Sequence, residues 1–203
     1  MKIWKIWLGG NPIPEGFKKY TDTWNKISGG EIITVTDDNL HEFVTDIPHI
    51  ENIQVRNHLV RYLLLYNYGG IYLDLDVEVI RDGDLWQSPH THFGYESESW
   101  VNNHVMIAGK EGNLLFQTFV VNTIAISQVR SLQEVELETG PRLVTNTLYT
   151  IGEMKCKLNN IFTHPESVFS GHRWYETFKP EEIRPETLSV HHYLHSWGKN
   201  PKV

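Results

Sequence analysis

Asp74 and Asp76 lie two residues apart in the run IYLDLDVEVI at 71 to 80. The run alternates, which predicts a strand with Ile71, Leu73, Leu75, Val77 and Val79 on one face and Tyr72, Asp74, Asp76 and Glu78 on the other. On an extended backbone the two carboxylates point the same way, with Cβ atoms on the order of 7 Å apart. One can hold a divalent cation directly while the other acts on it through water, or on a ligand hydroxyl. Mg²⁺ and Mn²⁺ take such oxygen ligands and keep positions open for phosphate. A cation held there would neutralise a diphosphate leaving group and provide the local countercharge that a chain of net charge −7 needs for an anionic ligand. Taken alone, the same spacing also describes an ordinary solvated strand face.

The acids need elements to hold them. Residues 52 to 68 repeat apolar side chains at three- and four-residue steps (Ile53, Leu59, Val60, Leu63, Leu64, Tyr68), which predicts an amphipathic helix stopped by Gly69-Gly70. Residues 2 to 8, KIWKIWL, predict a first strand ending at Gly9-Gly10. Glu15 to Ile27 reads as a helix, 31 to 36 as a strand, and Thr36-Asp37-Asp38 as the cap of a helix over 40 to 44. Further strands are expected at 92 to 96, 101 to 109, 160 to 169 and 188 to 194, with helices over 113 to 127 and 140 to 151. Helices interleaved with strands give an α/β fold with a mixed central β-sheet flanked by helices. Neither GxGxxG after the first strand nor GxxxxGK[ST] occurs, which disfavours dinucleotide-binding and P-loop readings.

The stretch NHLVRY at 57 to 62, followed by LLLYNYGGIYLDLDVEVI, resembles the central motif of the DXD sugar-transferase family, which includes initiating α-mannosyltransferase-like enzymes and bacterial capsular sugar transferases. The glucosylating domains of large clostridial toxins carry a related pattern. KIWLGG at 5 to 10, TGP at 139 to 141 and HHYLHSW at 191 to 197 resemble further family elements in the same order, so the likeness runs from about residue 3 to residue 198. It implies a GT-A-type fold and transfer of a sugar from a nucleotide-diphosphate sugar, UDP- or GDP-linked, to a saccharide hydroxyl of a glycan acceptor. Retention of configuration and a Mn²⁺ (or Mg²⁺) cofactor are implied as well.

Carried over residue by residue, the resemblance implies that Asp74 and Asp76 bind the metal, joined by His191 or His192, with His191 preferred by its register from Ser196-Trp197. Trp7, beside Leu8, offers an indole to the nucleotide base. Ser196 and Trp197 offer a hydroxyl and an indole N–H to the β-phosphate. Arg61 stands one helical turn from Asn57 and His58, and serves the donor sugar and phosphates or pairs with Asp74. His58 replaces the usual family Asp, and a neutral imidazole accepts only one hydrogen bond. Asn102 and Asn103 could order donor or acceptor hydroxyls, or make a structural turn.

Composition narrows the alternatives. With 203 residues, 40% hydrophobic and 21% charged, the chain is expected to fold as one domain over 1–203. Its acidic balance and lack of a basic run argue against nucleic acid. Cys156 is the single cysteine, and no run is long enough for a transmembrane segment, so a cytoplasmic protein, bacterial or in a host cytosol if viral, is expected. A glycosidase needs carboxylates on both sides of the scissile bond, whereas these two project from one strand. The remaining rival is a catalytically impaired nucleotide-sugar-binding module, made credible by His58.

Overall fold

The computed structural model describes residues 1–129, 135–173 and 175–194. Its central sheet has six strands in the order β2-β1-β3-β6-β5-β7. These are β1 (Lys2–Trp7), β2 (Glu31–Thr36), β3 (Gly70–Leu73), β5 (Thr91–Tyr95), β6 (Val101–Ala108) and β7 (Ile161–His164). The strands β2, β1 and β3 run parallel, β6 is antiparallel to β3 and β5, and β7 is parallel to β5. A second ribbon pairs β4 (Val77–Val79) with β8 (Ser189–His191).

Strand alternation sorts the core into two layers. Trp4, Ile6, Tyr72, Phe93 and Met106 face the helices α3 (Ile53–Tyr68), α4 (Leu114–Val129) and α6 (Pro141–Ile151). Ile3, Ile71, Leu73, Val105 and Ile107 face the β4–β8 ribbon, Trp24, Trp86 and Phe169. Trp4 and Trp24 are wholly buried, and each indole N–H donates to a carbonyl at 2.8 Å, of Gly69 and Val77 respectively. An unmet indole N–H there would cost about 1–3 kcal/mol.

The helix α3 begins where the Asn52 side chain accepts from the N–H groups of Gln54 and Val55, at 2.9 and 3.2 Å. It stops at Gly69 and Gly70, whose φ values of 63° and 94° favour glycine, and a Cβ on Gly70 would lie 2.5 Å from the Lys2 carbonyl oxygen. The chain therefore turns directly from α3 into β3, setting Arg61 behind the acids.

Four elements differ from the sequence expectation. The strand expected over 71 to 80 is two strands in two sheets: after Leu73 the chain turns, with the Val77 N–H donating to the Asp74 carbonyl at 2.9 Å. Leu75 still points inward after the turn, so the alternation survives the break and hides it. The helix expected over 15 to 27 is a 3₁₀ turn (Glu15–Phe17), a short α1 (Lys18–Thr21) and a second 3₁₀ stretch (Asp22–Lys26). Here tertiary contacts override helix propensity, because the Thr23 hydroxyl, Trp24 and Lys26 bond the backbone of Val77 and Val79. The expected strand over 160 to 169 ends at His164, where Pro165 caps α8 (Glu166–Phe169). Finally, Asp37 does not cap α2 (Leu40–Phe43), because its carboxylate is taken by the loop after β1. Among the described residues no helix is long and apolar enough to cross a membrane.

Candidate active site

An open cleft lies at the carboxyl ends of β1 and β3, where Trp7, Asn57, Arg61, Asp74, Asp76, His191 and Tyr193 meet. The turn carrying the two acids forms its floor. The Asp74 N–H donates to the His104 carbonyl at 2.9 Å, tying the turn to β6. On its other side, β8 pairs Val77 with His191, and the His192 N–H donates to the Asp76 carbonyl at 3.0 Å. Late residues of the chain thus complete a site that the middle begins.

Asp74 is held by Arg61, whose Nη1 lies 3.1 Å from Oδ1, and by the Tyr72 hydroxyl, which donates to the same oxygen. Arg61 is buried: it donates to the Asn103 carbonyl at 2.8 Å and Asn57 Oδ1 at 3.2 Å, and its guanidinium stacks over Tyr72 at 4.2 Å. Asp76 accepts the Leu194 N–H at 2.9 Å and faces His191 Nε2 at 3.1 Å. Burial alone would raise the Asp76 carboxyl, but His191 and the Leu194 N–H bring it down to about 2. Burial raises Asp74, against the opposing charges of Arg61 and His191. His191 is raised: burial works against its charged form, and Asp76 and Asp74 outweigh that.

Asp74, Asp76 and His191 each offer one ligand atom, and the three atoms lie within 4.8 Å of one another. Bonds of about 2.0–2.2 Å place two ligands on one ion up to roughly 4.3 Å apart, so small side-chain rotations suffice to close the set. Two carboxylates and an imidazole, with His191 Nδ1 buried and unpartnered among the described residues, fit a hard or borderline divalent cation. His192 is turned away and bonds Glu78 at 2.9 Å.

Trp7 lines the cleft, half-buried, its indole N–H donating to the Asn11 carbonyl at 2.6 Å. Other expected residues are elsewhere. The Leu8 side chain is buried in the core. His58 lies outside the cleft lining and pairs through Nδ1 with the Thr139 hydroxyl at 2.9 Å; burial and Arg61 hold its pKa well below the usual value. The Tyr62 hydroxyl donates to the Thr139 carbonyl at 2.9 Å, so this helix grips the 139–141 element at two points. Asn102 and Asn103 are also absent from the lining. Both are buried and spent within the protein: Asn102 on Ser170 and the Val105 N–H, Asn103 on Tyr62. Alternation along β6 does not help them, since both faces of that strand are covered. Ser196 and Trp197 lie outside the described residues.

Residues 14–93 match the family described as "Glycosyltransferase sugar-binding region containing DXD motif". That stretch belongs to the DXD-containing glycosyltransferase family. Among curated proteins, the chain is 27% identical over 125 residues to the initiation-specific alpha-1,6-mannosyltransferase of Saccharomyces cerevisiae, covering 50% of this chain and 23% of that protein. It is 38% identical over 96 residues to inositol phosphoceramide mannosyltransferase 3 of Schizosaccharomyces pombe, covering 43% and 27%. The chain therefore spans about a quarter of the length of these relatives. Among solved structures, the PaToxG glycosyltransferase superposes with a TM-score of 0.59 at 18% identity, over 73% of this chain and 67% of that one. A glycosyltransferase involved in glycosylation of the major capsid of PBCV-1 gives 0.50 at 12% identity, over 94% and 93%. The fold is that of GT-A glycosyltransferases.

The sequence reading missed several contributors to this cleft. Asp37 accepts the Gly9 and Gly10 N–H groups at 2.6 and 2.9 Å and pairs with Arg56 at 2.8 Å, which shapes the loop following Trp7. Tyr72 bonds Asp74, and its position in the alternation beside the acids was the available signal. Tyr193 packs on His191, with ring centroids 4.1 Å apart. Glu96, just past β5, is half-buried within electrostatic reach of His191 and Asp74. Burial pushes its carboxyl up to about 7; His191 opposes the rise and Asp74 adds to it.

Proposed function

We propose that residues 1–203 act as one glycosyltransferase domain, moving a sugar from a nucleotide-diphosphate sugar to a hydroxyl of a glycan acceptor. The supporting observation is one cleft that gathers Asp74, Asp76, His191, Arg61 and Trp7 from four separate parts of the chain. The curated relatives are named mannosyltransferases, which puts GDP-mannose first among donors to try, with UDP-sugars next. A cytoplasmic setting belongs to the same reading, supported by the single unpaired thiol of Cys156.

Asp74, Asp76 and His191 would hold Mn²⁺ (or Mg²⁺), which when bound supplies charge neutralisation to a diphosphate leaving group. Arg61 adds a fixed positive charge that is already oriented by Asp74, Asn57 and the Asn103 carbonyl, so little reorganisation accompanies the reaction. Trp7 offers a ring face to the base, worth roughly 1–3 kcal/mol by analogy with base stacking. In the transfer, the bond from the sugar C1 to the β-phosphate oxygen breaks and a bond from C1 to the acceptor oxygen forms. The acceptor proton passes to the departing phosphate oxygen. Attack from the leaving-group face gives the retention that the family resemblance implies.

Thermal melts with GDP-, UDP- and dTDP-sugars, with and without Mn²⁺, test binding, and release of nucleoside diphosphate in the presence of methyl glycosides tests transfer. Metal-dependent stabilisation by one nucleotide class together with turnover supports the proposal, and Asp74→Ala with Asp76→Ala should abolish turnover. Binding with no turnover on any glycoside would favour a nucleotide-sugar-binding module instead.

A further inference from the structure

We propose that His104 is a positioning residue for the cation site: its imidazole, stacked on His191, sets the plane of that ring and so the direction in which Nε2 presents its lone pair. This rests on the metal-dependent reading above. His104 touches no ligand and acts from behind the cleft, through His191. The two imidazole centroids are 4.0 Å apart and their planes differ by 28°. Tyr193 packs on the same His191 ring at 4.1 Å and meets His104 edge-on at 5.9 Å. A ring nitrogen reaches a cation through a lone pair in the ring plane, and the last torsion of a histidine side chain is soft. In most metal-binding histidines a hydrogen bond from the far nitrogen fixes that torsion. Nδ1 of His191 is buried and has no such partner among the described residues. The contact of Nε2 with Asp76, at 3.1 Å, is the one that a shared cation would replace. What remains to hold the plane is the packing of the rings.

The sequence places His104 for this task through a break in β6. Met106 faces the helix layer, and simple alternation would send His104 there too. The ladder shifts first: β6 pairs Met106 with Phe93 but Val101 with Tyr95, an irregularity of the kind that re-aims side chains beside active sites. His104 then lies against His191 of the ribbon, and it is buried. Its Nε2 is 3.2 Å from the Ser170 hydroxyl. That hydroxyl donates its one proton to the Tyr95 carbonyl at 2.9 Å, so it accepts from His104, and Nε2 of His104 carries the hydrogen. The Ser170 carbonyl accepts the His191 N–H at 3.0 Å. One residue therefore anchors both members of the stack. The His104 carbonyl accepts the Asp74 N–H at 2.9 Å, which ties the same residue to a second member of the cation set.

The test separates the ring from its hydrogen bond. His104→Phe keeps an aromatic face and loses the bond to Ser170, whereas His104→Gln keeps an N–H for Ser170 and loses the ring. His104→Leu, which fills the space with neither, is measured in parallel. Mn²⁺ affinity is read from the EPR signal of the free ion, with a cooperative apo melt as the check on folding. His104→Gln and His104→Leu should each weaken Mn²⁺ binding roughly tenfold to a hundredfold, the size expected for a residue that orients a ligand. His104→Phe should stay within about threefold of wild type. In a His191→Ala background, His104→Gln should cost no further affinity, because its effect passes through His191. Wild-type Mn²⁺ affinity in the ringless variants overturns the inference. So does a loss in His104→Phe equal to that in His104→Gln, or an undiminished loss in the His191→Ala background, since either would assign His104 to the scaffold alone. In all three cases the metal site itself stands. A wild type that binds Mn²⁺ no better than Asp76→Ala removes the metal reading and this inference together.

Discussion

Asp37 offers the sharpest test of how this cleft is assembled, because one carboxylate takes three hydrogen bonds and all three bear on the loop after Trp7. Gly9 and Gly10 donate at 2.6 and 2.9 Å, and Arg56 at 2.8 Å. Buried bonds to a charged group contribute about 1.5–3 kcal/mol each. The side chain is 30% exposed, so solvent screening brings each nearer to 1 kcal/mol or below. Replacing Asp37 by Asn keeps the shape and removes the charge, and the expected loss is about 2 kcal/mol. For a chain of this length that is about 4–8 °C in Tm. Burial would raise the Asp37 carboxyl, but the two N–H groups and Arg56 outweigh it and set the folded value below the unfolded one. The stabilisation is therefore fully present above about pH 4 and is lost as pH falls through the lowered folded value. Urea unfolding of wild type and Asp37→Asn at pH 7 and pH 3 should show a gap that narrows on acidification. A gap of the same size at both values, or none at pH 7, would show that the loop is held by something other than this charge.

Gly70→Ala places a Cβ against the Lys2 carbonyl at a positive φ, and should destabilise by more than about 2 kcal/mol, read from urea midpoints. His58 and His92 are both depressed, His58 by burial and Arg61, His92 to about 4 by burial, His164 and His90. The unfolded chain takes up protons below about pH 6.5 that these folded sites refuse, so stability should fall from pH 6.5 toward pH 4, by up to about 3 kcal/mol from His92 alone. A urea midpoint that stays level between pH 7 and pH 5 would contradict this. Mn²⁺ alone, at a hundred times its Kd, should raise stability by about 2.7 kcal/mol, and Asp76→Ala should abolish that gain while its apo melting curve remains cooperative.

Much of the architecture was legible in the chain because short-range rules govern it. The apolar stripe and Gly-Gly stop gave α3 within one residue, and alternation gave the inward face of Ile71, Leu73, Leu75, Val77 and Val79. What alternation does not encode is which sheet a strand joins. Residues 71 to 80 keep one inward face throughout, although Gly70–Leu73 and Val77–Val79 pair with different partners. The geometry of Asp74, Asp76 and His191 depends on that switch. Asparagines 102 and 103 lie on a strand covered on both faces, where their side chains bond within the protein, and alternation gives no sign of that double cover. His104 and Asp37 stayed hidden because their meaning comes from what stands 20 to 100 residues away, and one sequence carries no mark of such pairings.

The antiparallel ribbon of β4 and β8 also sets an order of events during synthesis. A nascent chain displays both acids once residue 76 has emerged, yet it lacks the imidazole that completes their set until residue 191 is free of the ribosome. Before then the acidic turn lacks its ribbon partner, and a chain arrested or cut ahead of β8 should handle nucleotide no better than an unrelated acidic peptide.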